Sequence, residues 1–427
     1  MTGRATAAAI EWRAHWPKVL SGMVGMSFYA MLTYHFGLFI QPLEREFGWG
    51  RAQISLGLTI YTMGAVLLGP FVGALIDRLG SRRIGIAGLA GTSLTLAALG
   101  FASGSLMQWY LLWVAIACTA LGVKSTVWGA ATSSLFTTSR GLALALVLCG
   151  SAIAQSLAPL VANALIASRG WREAYRWLGL GWGGLSLLLI LLFFFDAHDQ
   201  KRRRDAARVP VASLGGLTVR QALRNSQILR IAVSNLLMSV VGAGVSVHLV
   251  PILSGTGIDR STAAAMAATA GVAGIAGKLL TGWLLDRVQG SLIPFASFAL
   301  GAVGYALLLN KLDSRAALTA GVMVLGYTSG AGLQVTTYLC SRYAGMRNFG
   351  KIYATIGSML MLGTSLGPWI AGSVYDHTRS YDALLVAAIP TVLACSLMFI
   401  GLGAYPVFED PAPAPGEAAG SAPAGRS

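Results

Sequence analysis

The chain has 427 residues, of which 55% are hydrophobic and only 11% are charged, and its mean hydropathy is +0.66. These values exclude an ordinary water-soluble globule and predict a protein of the lipid bilayer. We interpret the net charge of +15 as a topological signal in membrane-facing loops, not as a surface for nucleic acid, because a basic run between two apolar spans is typical of cytoplasmic loops.

Twelve apolar stretches of about 20 residues follow one another along the chain, each long enough to cross about 30 Å of hydrocarbon. We predict transmembrane helices near residues 17–40, 52–76, 84–103, 108–134, 141–167, 174–195, 226–254, 261–285, 291–309, 315–339, 350–375 and 382–404. The first sixteen residues lead straight into a full-length span and do not look like a cleaved signal peptide. We therefore expect the first helix to stay attached.

The distribution of basic residues predicts the orientation and the domains. With the N-terminus inside, the cytoplasmic segments hold twenty Lys or Arg and the outer segments hold nine, which favours cytoplasmic termini. Residues 1–195 would form one six-helix bundle, residues 196–225 a basic cytoplasmic linker and residues 226–404 a second six-helix bundle. The Pro-rich and Ala-rich tail, residues 405–427, is expected to be a disordered cytoplasmic segment.

One motif occurs in both predicted bundles. A GxxxDRxGxRR box comprises Gly73, Asp77, Arg78, Gly80, Arg82 and Arg83, and part of it returns 209 residues later as Gly282, Asp286 and Arg287. The same offset pairs Pro42 with Pro251, Gly48 with Gly257 and Arg51 with Arg260. Two parallel half-repeats inside a membrane protein indicate a secondary-transporter architecture with its site between the halves.

The box resembles the loop signature of the major facilitator superfamily. This resemblance implies an all-α membrane protein in which twelve helices form two pseudo-repeated six-helix bundles. Gly73 would let helices approach closely, and Asp77 would face a helix N-terminus or an arginine of the other half, so we predict a gating role for all nine residues of the two boxes. The alternative is a tight basic turn that only fixes topology. The second copy departs from the pattern, since Gln289 stands where Gly80 does.

Further segments resemble the bacterial monocarboxylate-porter and oxalate/formate-exchanger branch of that superfamily. They are Pro42-Leu43 with residues 46–52, residues 140–145, residues 170–175, residues 248–251, and residues 367–372 with Tyr375-Asp376. The resemblance implies alternating-access transport of small mono- or dicarboxylates across the bacterial inner membrane, as exchange or proton-linked flux. Proton-coupled efflux of lipophilic compounds is the leading alternative, and the fifth span lacks the glycine-proline motif of drug/proton antiporters, which counts against it.

Two lysines lie at hydrocarbon depth, where the predicted spans contain no Asp or Glu. Lys124 is near the middle of the fourth span and Lys278 is in the eighth, and an unpaired charge there costs about 3 kcal/mol or more. Each lysine could snorkel to an interface, lose its proton, or face a wet cavity that takes an anion. We predict both as substrate-binding residues. The resemblance adds that the family's carboxylate-binding cation sits in the eighth span, usually as Arg.

Histidines and tyrosines complete the predicted site. His35 and His248 lie in the outer halves of the first and seventh spans, where either could bind substrate or titrate, the alternative being a buried ring bonded to a main-chain carbonyl. Tyr34, Tyr61 and Tyr338 could hydrogen-bond a carboxylate or serve only in packing. The sequence has no nucleotide-binding loop, catalytic triad or metal cluster. We therefore expect no enzymatic activity, no cofactor and no metal, and a protein that functions as a monomer.

Overall fold

The computed structural model describes residues 2–136, 139–194, 217–288, 290–345, 349–403 and 405–406, and within these ranges the regular structure is helical. The first half contains α1 (Thr2–Tyr34), α2 (Gly37–Phe47), α3 (Arg51–Leu79), α4 (Ser81–Ala98), α5 (Leu106–Thr119), α6 (Ser125–Leu135), α7 (Arg140–Arg176) and α8 (Gly183–Phe193). The second half contains α9 (Val219–Ala222), α10 (Ser226–Val247), α11 (Leu249–Gly255), α12 (Arg260–Arg287), α13 (Leu292–Leu308), α14 (Arg315–Ala344), α15 (Phe349–Thr378) and α16 (Asp382–Leu397).

The predicted membrane character is confirmed by the lengths of these helices. Within the described ranges, seven helical stretches are long and apolar enough to cross a bilayer, or eight if the bent pair α1 and α2 counts as one span. One stretch, Leu142–Phe193, is 52 residues long and breaks at Gly170, whose φ is 81°. It covers both the fifth and the sixth predicted span. The all-helical membrane fold is thus confirmed, while the count of twelve spans stays a prediction.

Capping side chains fix where two of the site-bearing helices begin. The Asn225 side chain accepts hydrogen bonds from the N–H groups of Gln227 and Ile228 at 2.9 and 3.1 Å, which starts α10. Asp259 accepts from the Thr262 N–H at 2.9 Å and starts α12. Such caps satisfy main-chain donors that the first helical turn leaves free. The hydrogen bond from the Thr262 N–H also holds the pKa of the Asp259 carboxyl below its usual value.

The two halves pack their helices in the same pattern. In the first half α1 packs on α7, α3 on α5, and α4 on α8; in the second half α10 packs on α15, α12 on α14, and α13 on α16. These are corresponding pairs under the 209-residue repeat. Between the halves, α3 packs on α15, α7 on α12, and α2 on α11. The structure therefore repeats as the sequence does, and each half contributes the same helices to the interface.

Glycines let α12 and α14 touch along their main chains. A Cβ added to Gly277 would lie 2.1 Å from the Tyr327 carbonyl oxygen, and one added to Gly330 would lie 2.1 Å from the oxygen of Gly274. Only a residue without a side chain fits at such an approach. This contact turns one face of α12 firmly toward α14 and so fixes the direction of every other side chain on α12.

Several predicted features fall outside the described part of the chain. Residues 196–216 of the predicted linker and residues 407–427 of the predicted tail lie outside it, as does Gln289. Within the linker range, the short helix α9 is described. The backbone of the two boxes is helical except at Gly80, but the surroundings of Gly73 and the side chains of Asp77, Arg78 and Asp286 are not described. The domain boundaries and the gating role of these residues stay predictions.

Candidate functional site

Lys278 lies on the face of α12 that is turned toward the first half. It follows Gly271 by seven residues, so the two positions share one helix face two turns apart. A Cβ on Gly271 would lie 2.2 Å from Ser156 Oγ and 2.8 Å from Ser156 N, so α12 touches α7 at that level. The side chain of Lys278 is half-buried. Lys278 thus sits at the interface between the halves.

Lys124 lies in the opposite half at a matching depth. It separates a 3-10 turn (Ala120–Val123) from α6 with an extended ψ of 159°, which breaks the fourth predicted span. Its ammonium donates to the Ala65 carbonyl oxygen of α3 at 3.0 Å. Lys124 and Lys278 are each the nineteenth residue from the start of their span, counted from Leu106 and Arg260. The two lysines therefore lie at matching depths along their spans.

No carboxylate pairs with either lysine among the side chains that the structure describes. The ion pairs in that part are Arg51–Glu44, Arg172–Glu46 and Arg176–Glu173. A buried ammonium without an anionic partner is costly in the membrane, and a bound anion is one way to offset that cost, beside snorkelling or loss of the proton. The described residues also form no cluster of three His, Cys, Asp or Glu side chains suited to a metal ion.

A cavity of about 350 Å³ opens among α1, α10, α13, α14 and α15. Its polar lining carries no charge and consists of Thr33, Tyr34, Asn235, Ser239, Ser246, Tyr305, Thr328, Ser329 and Thr364. A smaller cavity of about 40 Å³ lies between the halves and is also lined by Tyr34. Of the seven residues predicted to bind substrate, Tyr34 lines these two cavities and the two lysines, the two histidines, Tyr61 and Tyr338 do not.

His35 lies in the bend between α1 and α2, inside the first half. Its Nδ1 donates to the Met31 carbonyl oxygen at 2.5 Å, and its ring packs edge-on against Phe39 and Tyr175. The side chain has no exposed surface. The geometry matches a buried ring bonded to a main-chain carbonyl, which was the alternative to a binding role.

The two remaining tyrosines lie in different places. Tyr61 is buried in the first half between the rings of Tyr29 and Trp113, with centroid distances of 6.5 and 6.2 Å. Tyr338 lies near the end of α14, where its ring faces Tyr405 and the guanidinium of Arg342 at 6.2 and 5.3 Å. The structure therefore does not bring these two tyrosines together with Lys278 into one cluster.

His248 belongs to a hydrogen-bonded group that joins the halves, which we call the Arg51 latch. The latch consists of Arg51, Ser55, His248, Asp376 and Tyr381. The Arg51 guanidinium donates to the Tyr381 hydroxyl at 2.9 Å, the His248 Nδ1 lies 2.7 Å from that hydroxyl, and Ser55 Oγ lies 3.2 Å from His248 Nε2. Burial raises the pKa of Tyr381, so this residue is a phenol and remains a hydrogen-bond donor.

Asp376 caps a helix of the other half. Its two carboxylate oxygens accept from the main-chain N–H groups of Arg51 and Ala52, the first residues of α3, at 2.9 and 2.8 Å. A carboxylate is favourable at a helix N-terminus because it meets free donors and the positive end of the dipole. The contact is tight, since a Cβ on Gly372 would lie 2.7 Å from Ala52 N.

A second contact joins the halves at the position that the repeat relates to Arg51. Arg260, the first residue of α12, donates from Nε to Asn163 Oδ1 on α7 at 2.9 Å, and Asn163 donates to Ser261 Oγ at 3.0 Å. The pairs α3 with α15 and α12 with α7 are thus closed on the same side, where α3 and α12 begin. We call this the latch side.

Two of the segments that resemble the porter branch meet on the latch side. The Trp171 indole donates to Glu46 at 2.6 Å, and Arg172 forms an ion pair with the same carboxylate. The indole bond, together with the arginine, holds the pKa of Glu46 below its usual value. This contact fastens the end of α2 to α7 within the first half.

The described residues of the two boxes lie on the opposite side from the latch. Gly80 has a φ of 83° where α4 begins, a conformation that favours glycine. Arg82 donates to the Leu191 carbonyl oxygen at 3.1 Å, Arg83 is exposed, and the Arg287 guanidinium lies 4.2 Å from the Trp283 ring centre. A Cβ on Gly282 would meet nothing within 4 Å. These contacts lie within each half.

Sequence reasoning did not assign roles to Ser55, Asp376, Tyr381 or Asn163. A signal was present for part of the latch, since Arg51 and Arg260 are paired by the repeat and Tyr375-Asp376 is one of the segments similar to the porter branch. The repeat relates equivalent positions in the two halves. It does not tell which residues of one half face the other, and this is why the latch was missed.

Comparison with known proteins shows the family of the chain. A sequence profile described as Major Facilitator Superfamily matches residues 22–309 and residues 231–426. Monocarboxylate transporter 13 of Bos taurus is 27% identical over 413 residues, which cover 94% of this chain and 92% of the relative.

Two solved structures have a similar fold. A bacterial homolog to the human lysosomal transporter Spinster, in an inward-facing and unoccupied conformation, has a TM-score of 0.71 and 16% identity over 93% of this chain and 99% of its own. The nucleoside transporter NupG has a TM-score of 0.71 and 10% identity over 91% of this chain and 100% of its own. Because the profile covers nearly the whole chain, this multi-pass membrane protein belongs to the major facilitator superfamily, whose members are transporters and not enzymes.

Proposed function

We propose that the protein is a secondary active transporter of small organic anions, mono- or dicarboxylates, with Lys278 as the principal carboxylate-binding residue. The observation that carries this proposal is the half-buried side chain of Lys278 at the interface of the halves, with no carboxylate partner among the described side chains. The likeness to a protein named monocarboxylate transporter 13 supports the same class of substrate and favours a single carboxylate.

The two lysines have unequal parts in this proposal. Lys124 already donates one hydrogen bond to the Ala65 carbonyl, so part of its donor capacity serves to hold the broken fourth span against α3. Lys278 is directed at the interface, where a carboxylate could reach it. The remainder of the molecule would extend from Lys278 toward the uncharged cavity that Tyr34 lines, which Lys278 itself does not line.

The charge of the empty site determines how the carrier cycles. Closing the interface around an unpaired ammonium removes water from it at a high cost, whereas a bound carboxylate cancels the charge. Loaded carriers should therefore reorient faster than empty ones. Exchange of one carboxylate for another would then run ahead of net transport.

We expect unlabelled acid outside preloaded proteoliposomes to accelerate the efflux of labelled acid by about tenfold or more, the ratio that a barrier difference of about 1.4 kcal/mol gives. The panel contains an aliphatic and an aromatic monocarboxylate, a dicarboxylate, and a neutral lipophilic amide of matched size as the control. Transport of the amide with no transport of any acid would contradict the carboxylate proposal and favour efflux of lipophilic compounds.

The proposed orientation, with both termini in the cytoplasm of the bacterial inner membrane, has its own test. Lys201, Arg202, Arg203 and Arg204 form a trypsin-sensitive run within the predicted linker. We expect trypsin to cleave this run in inside-out vesicles and to spare it in right-side-out vesicles, because a basic linker stays on the cytoplasmic side. Cleavage in intact right-side-out vesicles would reverse the orientation.

A further inference from the structure

The ring of His248 is enclosed by the latch and by the second half. It sits between α10 and α11 with no exposed surface. Its Nε2 lies 3.0 Å from the Pro368 carbonyl oxygen on α15 and 3.2 Å from Ser55 Oγ on α3, and its Nδ1 lies 2.7 Å from the Tyr381 hydroxyl. Residues from both halves therefore hydrogen-bond to the two nitrogens of this ring, and these bonds depend on its protonation.

The partners of His248 determine which of its nitrogens carries the proton. The Pro368 carbonyl can only accept, so Nε2 must be the donor. The Tyr381 hydroxyl oxygen accepts from Arg51 at 2.9 Å, which leaves the hydroxyl hydrogen free to be donated to Nδ1. In a neutral imidazole with the proton on Nε2, Nδ1 can only accept. The closed latch is therefore complementary to neutral His248.

A second proton on His248 would break this pattern. Both ring nitrogens would then donate, the Tyr381 oxygen would face donors from both Arg51 and His248, and the Tyr381 hydrogen would lose its acceptor. A buried donor without an acceptor and a buried second cation are both costly. The protonated ring would thus destabilise the closed latch.

The charged groups around the latch are already engaged. Glu44 forms an ion pair with Arg51 at 3.1 Å, and both oxygens of Asp376 accept from the main-chain N–H groups of Arg51 and Ala52. The Arg51 guanidinium carbon lies 3.5 Å from the centre of the Tyr375 ring. Asp376 is thus bonded to the start of α3 and Glu44 to the Arg51 guanidinium. The His248 ring bonds instead to the Pro368 carbonyl and to the hydroxyls of Ser55 and Tyr381.

We propose that His248 is a proton-binding site that controls the latch side: the latch is closed when His248 is neutral, and proton uptake opens it. The proton comes from water and leaves to water, and no other covalent bond is made or broken. This inference rests on the proposed function only in its consequence for transport. If the latch side faces outward, an acidic exterior would favour the outward-open carrier, and reclosing would require release of the proton.

The test follows the distance across the latch side without any substrate. Met107 and Ala316 are exposed, belong to opposite halves and are related by the 209-residue repeat, so each is replaced by Cys and spin-labelled in a chain whose four native cysteines are changed to Ala. We expect a short distance at about pH 8 and a growing long-distance population toward about pH 5, with the closed-to-open ratio falling by at most about tenfold per pH unit, the limit for one proton.

Three variants make the test specific. His248→Gln can still donate to Pro368 and accept from Tyr381 but cannot take up a proton, so we expect it to stay closed at both pH values. His377→Gln is the matched control, because His377 is exposed at the end of α15 and lies on the same side, and it should respond as the wild type does. If His248→Gln fails to fold, Tyr381→Phe should open at a higher pH than the wild type, because neutral His248 loses its donor.

Some outcomes would overturn the inference. They are a wild-type distance that does not change with pH, a His248→Gln variant that responds like the wild type, or a response abolished by His377→Gln. Because no carboxylate is present, failure of the carboxylate proposal would leave these distances unaffected, and the two proposals fail separately.

Discussion

Replacing Lys278 with Gln should lower carboxylate affinity by about ten- to a hundredfold and leave the amount of folded protein unchanged. Hydrogen bonds to a charged group are worth about 1.5–3 kcal/mol, and each 1.4 kcal/mol corresponds to about tenfold in affinity. Removal of an unpaired ammonium from the bundle should not destabilise it, because the cost of burying the charge disappears with it. Binding of a labelled acid to purified protein measures the first effect, and thermal unfolding measures the second.

Two further substitutions separate charge from geometry at this position. Lys278→Arg keeps the charge and should retain partial binding, since the guanidinium is bulkier and planar. Lys311→Gln removes an exposed lysine near the start of α14 and should bind like the wild type. Unchanged affinity in Lys278→Gln would refute the site assignment, and a parallel loss of folded protein would indicate a structural role for the lysine.

The membrane class and the internal repeat could be predicted from sequence because they depend on composition and spacing. The composition indicates that the chain folds in a bilayer and not in water. The 209-residue offset relates whole helices, so the corresponding packing pairs follow from it. The position of Lys278 on the interface depends on Gly274 and Gly277, which turn one face of α12 toward α14. Glycines are common in transmembrane helices, and the sequence alone does not tell which of them mark a close contact.

The histidines show why the site could be predicted only in part. His35 and His248 look alike in sequence, since each lies in the outer half of the first span of its bundle. In the structure, His35 bonds within the first half, whereas His248 contacts Ser55 of the other half. What distinguishes them is the partner across the interface, and a single sequence does not record a contact between residues 193 positions apart.

Gly372→Ala should prevent closure of the latch side and lower transport by about 5- to 150-fold. The added methyl group would lie 2.7 Å from Ala52 N and 2.8 Å from the carbonyl carbon and oxygen of Arg51. All three are main-chain atoms at the start of α3, so no side-chain rotation relieves the clash. Overpacking of this kind costs about 1–3 kcal/mol, which corresponds to about 5- to 150-fold in the equilibrium between closed and open states.

The clash exists only while α3 and α15 are in contact, so the open carrier should tolerate the methyl group. Gly357→Ala is the matched control, since it makes the same change on the same helix at a position where a Cβ meets nothing within 4 Å. In a helix interior Ala is favoured over Gly by about 1 kcal/mol, and thermal unfolding should show no loss of stability in either variant. Spin labels at Met107 and Ala316 should report a long distance for Gly372→Ala at every pH, and the wild-type distance for Gly357→Ala. If Gly372→Ala transports at the wild-type rate and keeps the short distance, the contact of α3 with α15 does not limit closure, and the latch would have to be held by the Arg260 contact instead.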